Sequence, residues 1–458
     1  DALNVSPVRA PVAPVSRARI ALALVLAKAA MGLAVLASGF THVSDDDYAR
    51  VVIAQGFAIA PRLDPSGTSW LPLPFWLAGS AMMVTGRSLL AARLVAAILG
   101  ALSPLPALFA LRRNGVSTVA VLGGLALAFA SPWIAWSGVA TIPDGWTAAL
   151  VAAAAFALMG ERTLRLAAVC SAAAALSRYD AWPVCAVVGL RAGLVVGRAP
   201  TSPARKEAAL SCLLAVTAPL LWMAWNCHSH GDALHFLARV ASFRRHLGAA
   251  DAPLGTKLAE YPRALWGDAP EALLLGLVGV VALVALPLAV RARLRGRWRW
   301  PLVVAAAVVA FLVAGDVRDG APTHHPVRPL LGVVVILVVW GVDALVELAG
   351  SLPAARRRIA NGALGLVATV IVAHDLYGYR QPPGTGDADR SAQIERGHVL
   401  QQTVGPSDVL QVSPCAYEHF ALLASFGAPE QAVIEPGRGT GVGTGDNEEC
   451  PRVTVEPR

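Results

Sequence analysis

Three consecutive aspartates, Asp45, Asp46 and Asp47, stand in the stretch "HVSDDDYARVVIAQ", directly after the first long apolar run of this chain. Carboxylates so crowded repel one another and raise each other's pKa, so they must either face water or be given a task. Arg50 follows Asp46 by four residues and Asp47 by three, on their side of a helix, where it would hold at least one of them ionised at neutral pH. A positioned carboxylate is what an acceptor hydroxyl or amine needs to lose its proton as it attacks. The plainer alternative is a solvated helix start, with Ser44 or Asp45 as cap and the acids meeting the positive end of the dipole. Asp144 in "SGVATIPDGWTAAL" is a second candidate, although alone it reads as the cap of a helix beginning at Trp146. Four arginines complete the set: Arg178 in "SRYDAWP", Arg244 and Arg245 in "ASFRRH", and Arg328 in "HHPVRP". Together they could bind a phosphate held at a membrane surface. Separately, Arg178 could simply pair with Asp180, and Arg328 could snorkel to lipid headgroups.

The elements that must position these groups are membrane helices. The chain is 56% hydrophobic and 15% charged, with a mean hydropathy of +0.57, outside the range of soluble domains. Its net charge of +8 comes from short basic clusters between apolar runs, the pattern of topology signals, which argues against nucleic acid. With about 20 apolar residues per crossing, about 11 spans place every basic cluster inside. The expected spans are 20–40, 89–111, 117–139, 146–159, 164–176, 182–196, 208–225, 269–290, 301–314, 330–348 and 359–374. The N-terminus is then inside and the C-terminus outside. The segment Ser69–Val84 is apolar but short, and Pro72 and Pro74 lack helix donors, so it is expected to lodge in the outer leaflet. All the candidate acids and arginines then share the outer face.

The chain divides into a basic tail (1–19), a transmembrane region (20–375) and a small extracytoplasmic domain (376–458). That last part is expected to hold a helix near Gln393–Gln402 and strands at "DVLQV" and "AVI". In the loop from Asn226 to Asp268, Leu234, Leu237, Val240 and Leu247 recur at helical spacing opposite Arg244 and Arg245, as in a helix lying on a membrane surface. Cys415 and Cys450 lie in polar sequence, and a disulfide closing about 35 residues could add roughly 3 to 4 kcal/mol. The group Cys227, His228, His230 and His235 matches no metal motif, Lys28 is within reach of the inner interface, and Gly437–Asp446 is a loop.

The order of these features resembles the GT-C glycosyltransferases. An acidic pair after the first span is followed by "GTSWLPLPFWLAG", "GRSLLAARLVAAILGAL", a lone Asp in "TIPDGW", and the short paired spans around "ALSRYDAWP". Residues 20 to about 375 are most similar to the branch holding the protein O-mannosyltransferases and the aminoarabinose transferase of lipid A. That resemblance implies an all-α polytopic membrane fold with outer-face juxtamembrane helices. It also implies a polyprenyl-phosphate sugar donor, inversion at the anomeric carbon, and an active site on the outer face of the cytoplasmic membrane. The acceptor is an envelope lipid, glycan or protein. By the same resemblance, Asp46 takes the place of the catalytic acid and Asp47 that of its usual Glu neighbour. Asp144 takes the place of the second outer acid, and Arg328 that of the basic residue before a late span. The cofactor left open is a divalent cation at Asp144. The rival readings are a transporter or flippase, whose ionisable groups usually lie near the bilayer midplane, and a non-catalytic envelope scaffold.

Overall fold

Backbone N–H and C=O groups have no partners in lipid, so apolar runs of this length must close their hydrogen bonds within helices. The computed structural model shows that outcome. It describes residues 17–67, 69–198, 201–246, 252–318, 325–380, 382–383, 388–414, 417–435 and 452–457. Among these, six helices are long and apolar enough to cross a membrane, or up to seven if the two helices meeting at 102° near Asp268 form one span. The shorter apolar helices Leu73–Thr85, Thr118–Ala130 and Asp144–Ala157 complete the bundle. The chain is a polytopic helical membrane protein with a small three-stranded sheet.

Proline sets several of the breaks, because it offers no donor to the helix ladder. The expected span 89–111 divides at Ser103–Pro104, and 117–139 divides at Ser131–Pro132. Helix Leu73–Thr85 has 13 residues, about 20 Å of helix against a hydrocarbon core of about 30 Å. It packs on the helix before it, where a Cβ on Gly79 would lie 2.8 Å from the Ala54 carbonyl oxygen. The basic run "RARLRGRWR" is not a loop: the chain turns at Leu286–Pro287, and the run lies inside helix Leu288–Val317. There Arg297 and the Trp298 indole both donate to the buried Asp343, at 2.9 and 2.8 Å.

Helix Leu331–Ser351 is the hub, most of it buried among its neighbours. Small residues let its neighbours come close: a Cβ on Gly341 would lie 2.3 Å from the Leu275 carbonyl oxygen. In the loop from 226 to 268, helix His235–His246 lies where the leucine spacing placed one, and Leu254–Asp268 is a second helix that the spacing did not reveal.

The C-terminal residues form helix Ser391–Thr403, strand β1 (Asp408–Ser413), helix His419–Phe426, strand β2 (Ala432–Ile434) and strand β3 (Arg452–Pro457). β1 is central, parallel to β2 and antiparallel to β3. Helix His419–Phe426 sets Ala421 and Ala424 against Tyr48, Val51 and Ala54 of helix Asp46–Ile59. Cys415, Cys450, His324, Gly437–Asp446 and the Arg244 side chain lie outside the described residues.

Candidate active site

The first helix after the N-terminal span runs from Asp46 to Ile59, and each of the three aspartates does something different. Asp45 occupies the N-cap position but makes no side-chain cap. Its two carboxylate oxygens accept from Arg390 of the C-terminal region, at 2.9 and 3.0 Å. Asp47 is buried and saturated. One oxygen accepts from the Thr141 amide at 2.7 Å and hydroxyl at 3.0 Å and from the Ile142 amide at 3.3 Å; the other accepts from the Val43 and Ser44 amides at 2.9 and 3.3 Å. It therefore fastens the loop after the first helix to the loop that leads into Asp144. Asp46, between them, keeps a side chain that is 44% exposed, with Arg328 at 3.8 Å.

Arg50 does not pair with Asp46 within ion-pair distance among the described residues. Its guanidinium lies over the Trp70 ring, 4.5 Å from the centroid, and 5.6 Å from that of Phe75. Its Nε and Nη1 are buried with no hydrogen-bond partner. Helical spacing put Arg50 on the right face, but the aromatic residues of the next segment draw its side chain aside. The cation beside Asp46 comes instead from nearly three hundred residues later in the sequence.

Asp144 opens helix Asp144–Ala157 without capping it; Pro143 is the N-cap residue. Its side chain is fully buried and lies between two arginines. Arg178 donates to Oδ1, while Arg328 donates Nε to Oδ1 at 3.3 Å and an Nη to Oδ2 at 3.0 Å. Arg178 also donates to Asp180 at 2.7 Å, so pairing with Asp180 and joining the site prove compatible. Glycine at 145 lets the start of helix Asp144–Ala157 pack against the end of helix Pro132–Ser137: a Cβ there would lie 2.6 Å from the Ser137 carbonyl oxygen. Arg328 reaches in from a short 3-10 turn, Arg328–Leu330, that starts the hub helix. A divalent cation does not fit beside Asp144, since both its oxygens are taken by guanidinium groups and a metal would face two positive charges.

The structure thus brings together Asp46, Asp144, Arg178 and Arg328, with Asp47 clamping the scaffold behind them. Arg50 borders a small, partly open pocket whose walls include Pro74, Phe75, Ala92, Val95 and Leu99. Arg245 is exposed on helix His235–His246 and stands apart from this cluster in every described ion pair. That helix is tied to the site through Phe236, which stacks on Tyr179 with centroids 4.1 Å apart. Sequence reasoning missed Thr141 and Arg390; the only local signal was a polar residue three places before Asp144.

Neither a family model nor a curated protein sequence matches the chain. Solved structures do. The aminoarabinose transferase ArnT from Cupriavidus metallidurans bound to undecaprenyl phosphate superposes with a TM-score of 0.55 at 13% identity, covering 91% of this chain and 88% of that one. Its apo state gives 0.54 and 13%, covering 92% and 90%. The archaeal oligosaccharyltransferase AglB from Archaeoglobus fulgidus, in complex with an inhibitory peptide and a dolichol-phosphate, gives 0.53 and 12%, covering 91% of this chain and 64% of AglB. The chain therefore shares its fold with ArnT and AglB, in keeping with the polytopic fold that its ordered motifs imply.

Proposed function

We propose that the protein is a membrane glycosyltransferase that moves a sugar from a polyprenyl-phosphate donor to an envelope lipid, glycan or protein, with Asp46 as general base. One observation carries this reading: an accessible carboxylate stands beside a buried arginine that is itself aimed by Asp144. The pocket beside Arg50 adds an apolar surface suited to a lipid tail. The polyprenyl phosphates named in the ArnT and AglB structures agree with such a donor.

The chemistry follows from charge. Asp46 removes the acceptor proton as its oxygen or nitrogen attacks the anomeric carbon from the face opposite the phosphate. The bond from that carbon to the phosphate oxygen breaks, its electron pair stays on the phosphate, and the configuration inverts. Arg328 and Arg178, with Arg50 as a further cation, neutralise the charge that develops there. Arg244 and Arg245 belong to the same proposal as an outer phosphate-steering pair. Asp144 positions the arginines and Asp47 positions the loop that carries Asp46.

The test is sugar transfer from a synthetic polyprenyl-phosphate sugar in membranes holding equal amounts of each variant. Asp46→Asn keeps the shape and removes the basic oxygen, so turnover should fall about 100-fold to 10,000-fold. Asp45→Asn should cost far less. Near-normal turnover by Asp46→Asn would return the aspartates to a solvated helix start.

A further inference from the structure

A second group of chemistry-bearing side chains lies apart from the Asp46 site. Glu271 stands in the first turn of helix Pro270–Ala285, just past the 102° corner, while His374 and Asp375 stand near the end of helix Ala354–Gly378. One ligand atom from each lies within 4.8 Å of the others, and His374 Nδ1 is 3.5 Å from Asp375 Oδ1. Glu271 and Asp375 are 3% and 2% exposed. Glu271 Oε1 and both oxygens of Asp375 have no hydrogen-bond partner. Buried carboxylate oxygens without donors are costly, and here two such groups face each other, which a cation between them would relieve.

We propose that Glu271, His374 and Asp375 bind one divalent transition-metal ion, with Zn²⁺ as the ion the donors fit best. One imidazole and two carboxylates suit a borderline-soft ion, whereas Ca²⁺ and Mg²⁺ prefer all-oxygen shells. His374 is half exposed, which leaves the group open on one side.

The surroundings indicate what the ion would hold. Beside Glu271, Asp268 accepts from the Trp133 indole at 3.1 Å. Beside Asp375, Tyr379 donates to the Ala130 carbonyl at 2.6 Å, and a Cβ on Gly378 would meet Pro132 at 2.9 Å. Both sides therefore brace helix Pro132–Ser137, which leads into the loop carrying Thr141 and Asp144. The ion staples the corner to the end of helix Ala354–Gly378 behind that loop. It is a positioning site that shares no residue with the transfer site and does not depend on the proposed transferase reading.

The experiment uses the full chain in detergent, its affinity tag removed, stripped with chelator and dialysed against Zn²⁺. Metal analysis should find a single Zn²⁺ per wild-type chain, and Zn²⁺ should raise the apparent melting temperature. Binding should weaken as pH falls, because all three ligands must be deprotonated. His374→Ala, at a half-exposed position that the fold tolerates, should weaken binding at least about tenfold, and Asp375→Asn likewise. Asp46→Asn should retain the ion. A wild-type chain that takes up no Zn²⁺ would overturn the proposal. Undiminished binding by His374→Ala would overturn it too, by placing the ion elsewhere.

Discussion

Asp46 and Asp144 both lie beside Arg328, yet one is reachable from solvent and the other is sealed. Their substitutions should therefore fail in different ways. Asp144→Asn leaves two guanidinium groups facing a neutral amide in a buried position, and removing one partner of such a pair typically costs about 3 to 5 kcal/mol. The expected outcome is a clearly lowered apparent melting temperature in detergent for Asp144→Asn and little change for Asp46→Asn. An Asp144→Asn protein as stable as wild type would show that the arginines find other partners. The residue types were legible in the sequence, since a lone Asp and out-of-place arginines on one face suggest a site. Their pairing was not, because helical spacing reports only neighbours within one turn. It assigned Arg50 to Asp46, where tertiary packing supplies Arg328, and it found no cation for Asp45, where the chain supplies Arg390.

At the level of elements, the helix that begins at Asp46 is held from two sides. Asp47 ties its start to the Thr141 loop, and the C-terminal region grips its outer side through Asp45–Arg390 and the Gln55 amide, which donates to the Ala424 carbonyl at 2.8 Å. Arg87 adds a further contact near the same seam, its Nη1 donating to both carboxylate oxygens of Glu430. The small C-terminal sheet and helices thus act as a brace on the loop that presents Asp46. The Asp45–Arg390 pair has planar two-point geometry but is partly exposed, which sets its worth at about 1 kcal/mol. A double-mutant cycle with Asp45→Asn and Arg390→Gln should show coupling of that size in unfolding measurements, and additive effects would deny the contact. Hydrophobic patterning disclosed helix Ser391–Thr403, β1 and β2, but β3 is too polar to stand out and pairs only because β1 offers it an edge.

For the whole molecule, the convergence of loops constrains how the chain threads a bilayer. Arg328 reaches both Asp46 and Asp144, so no membrane can separate them, and the number of crossings between residues 46 and 144 must be even. Segment 89–113 is long and apolar enough for one crossing, and we propose that the shorter helices between Thr118 and Ser137 supply the return. The short helix Leu73–Thr85 must then enter and leave by the same face, which its length and its prolines already favour. The opposite end of the bundle gathers basic residues that pair with neighbouring helices: Arg112 with Thr118, Arg165 with Glu207 and Arg297 with Asp343. Lys and Arg are enriched on the cytoplasmic side of membrane proteins, and we propose on that ground that this end faces the cytoplasm. A reporter fused after Arg113 should therefore read cytoplasmic, and one in the loop between residues 226 and 268 should read external. An external reading after Arg113, with the loop reading internal, would invert the protein and put Asp46 on the cytoplasmic side. External readings at both sites would break the parity that Arg328 requires, and with it the site itself.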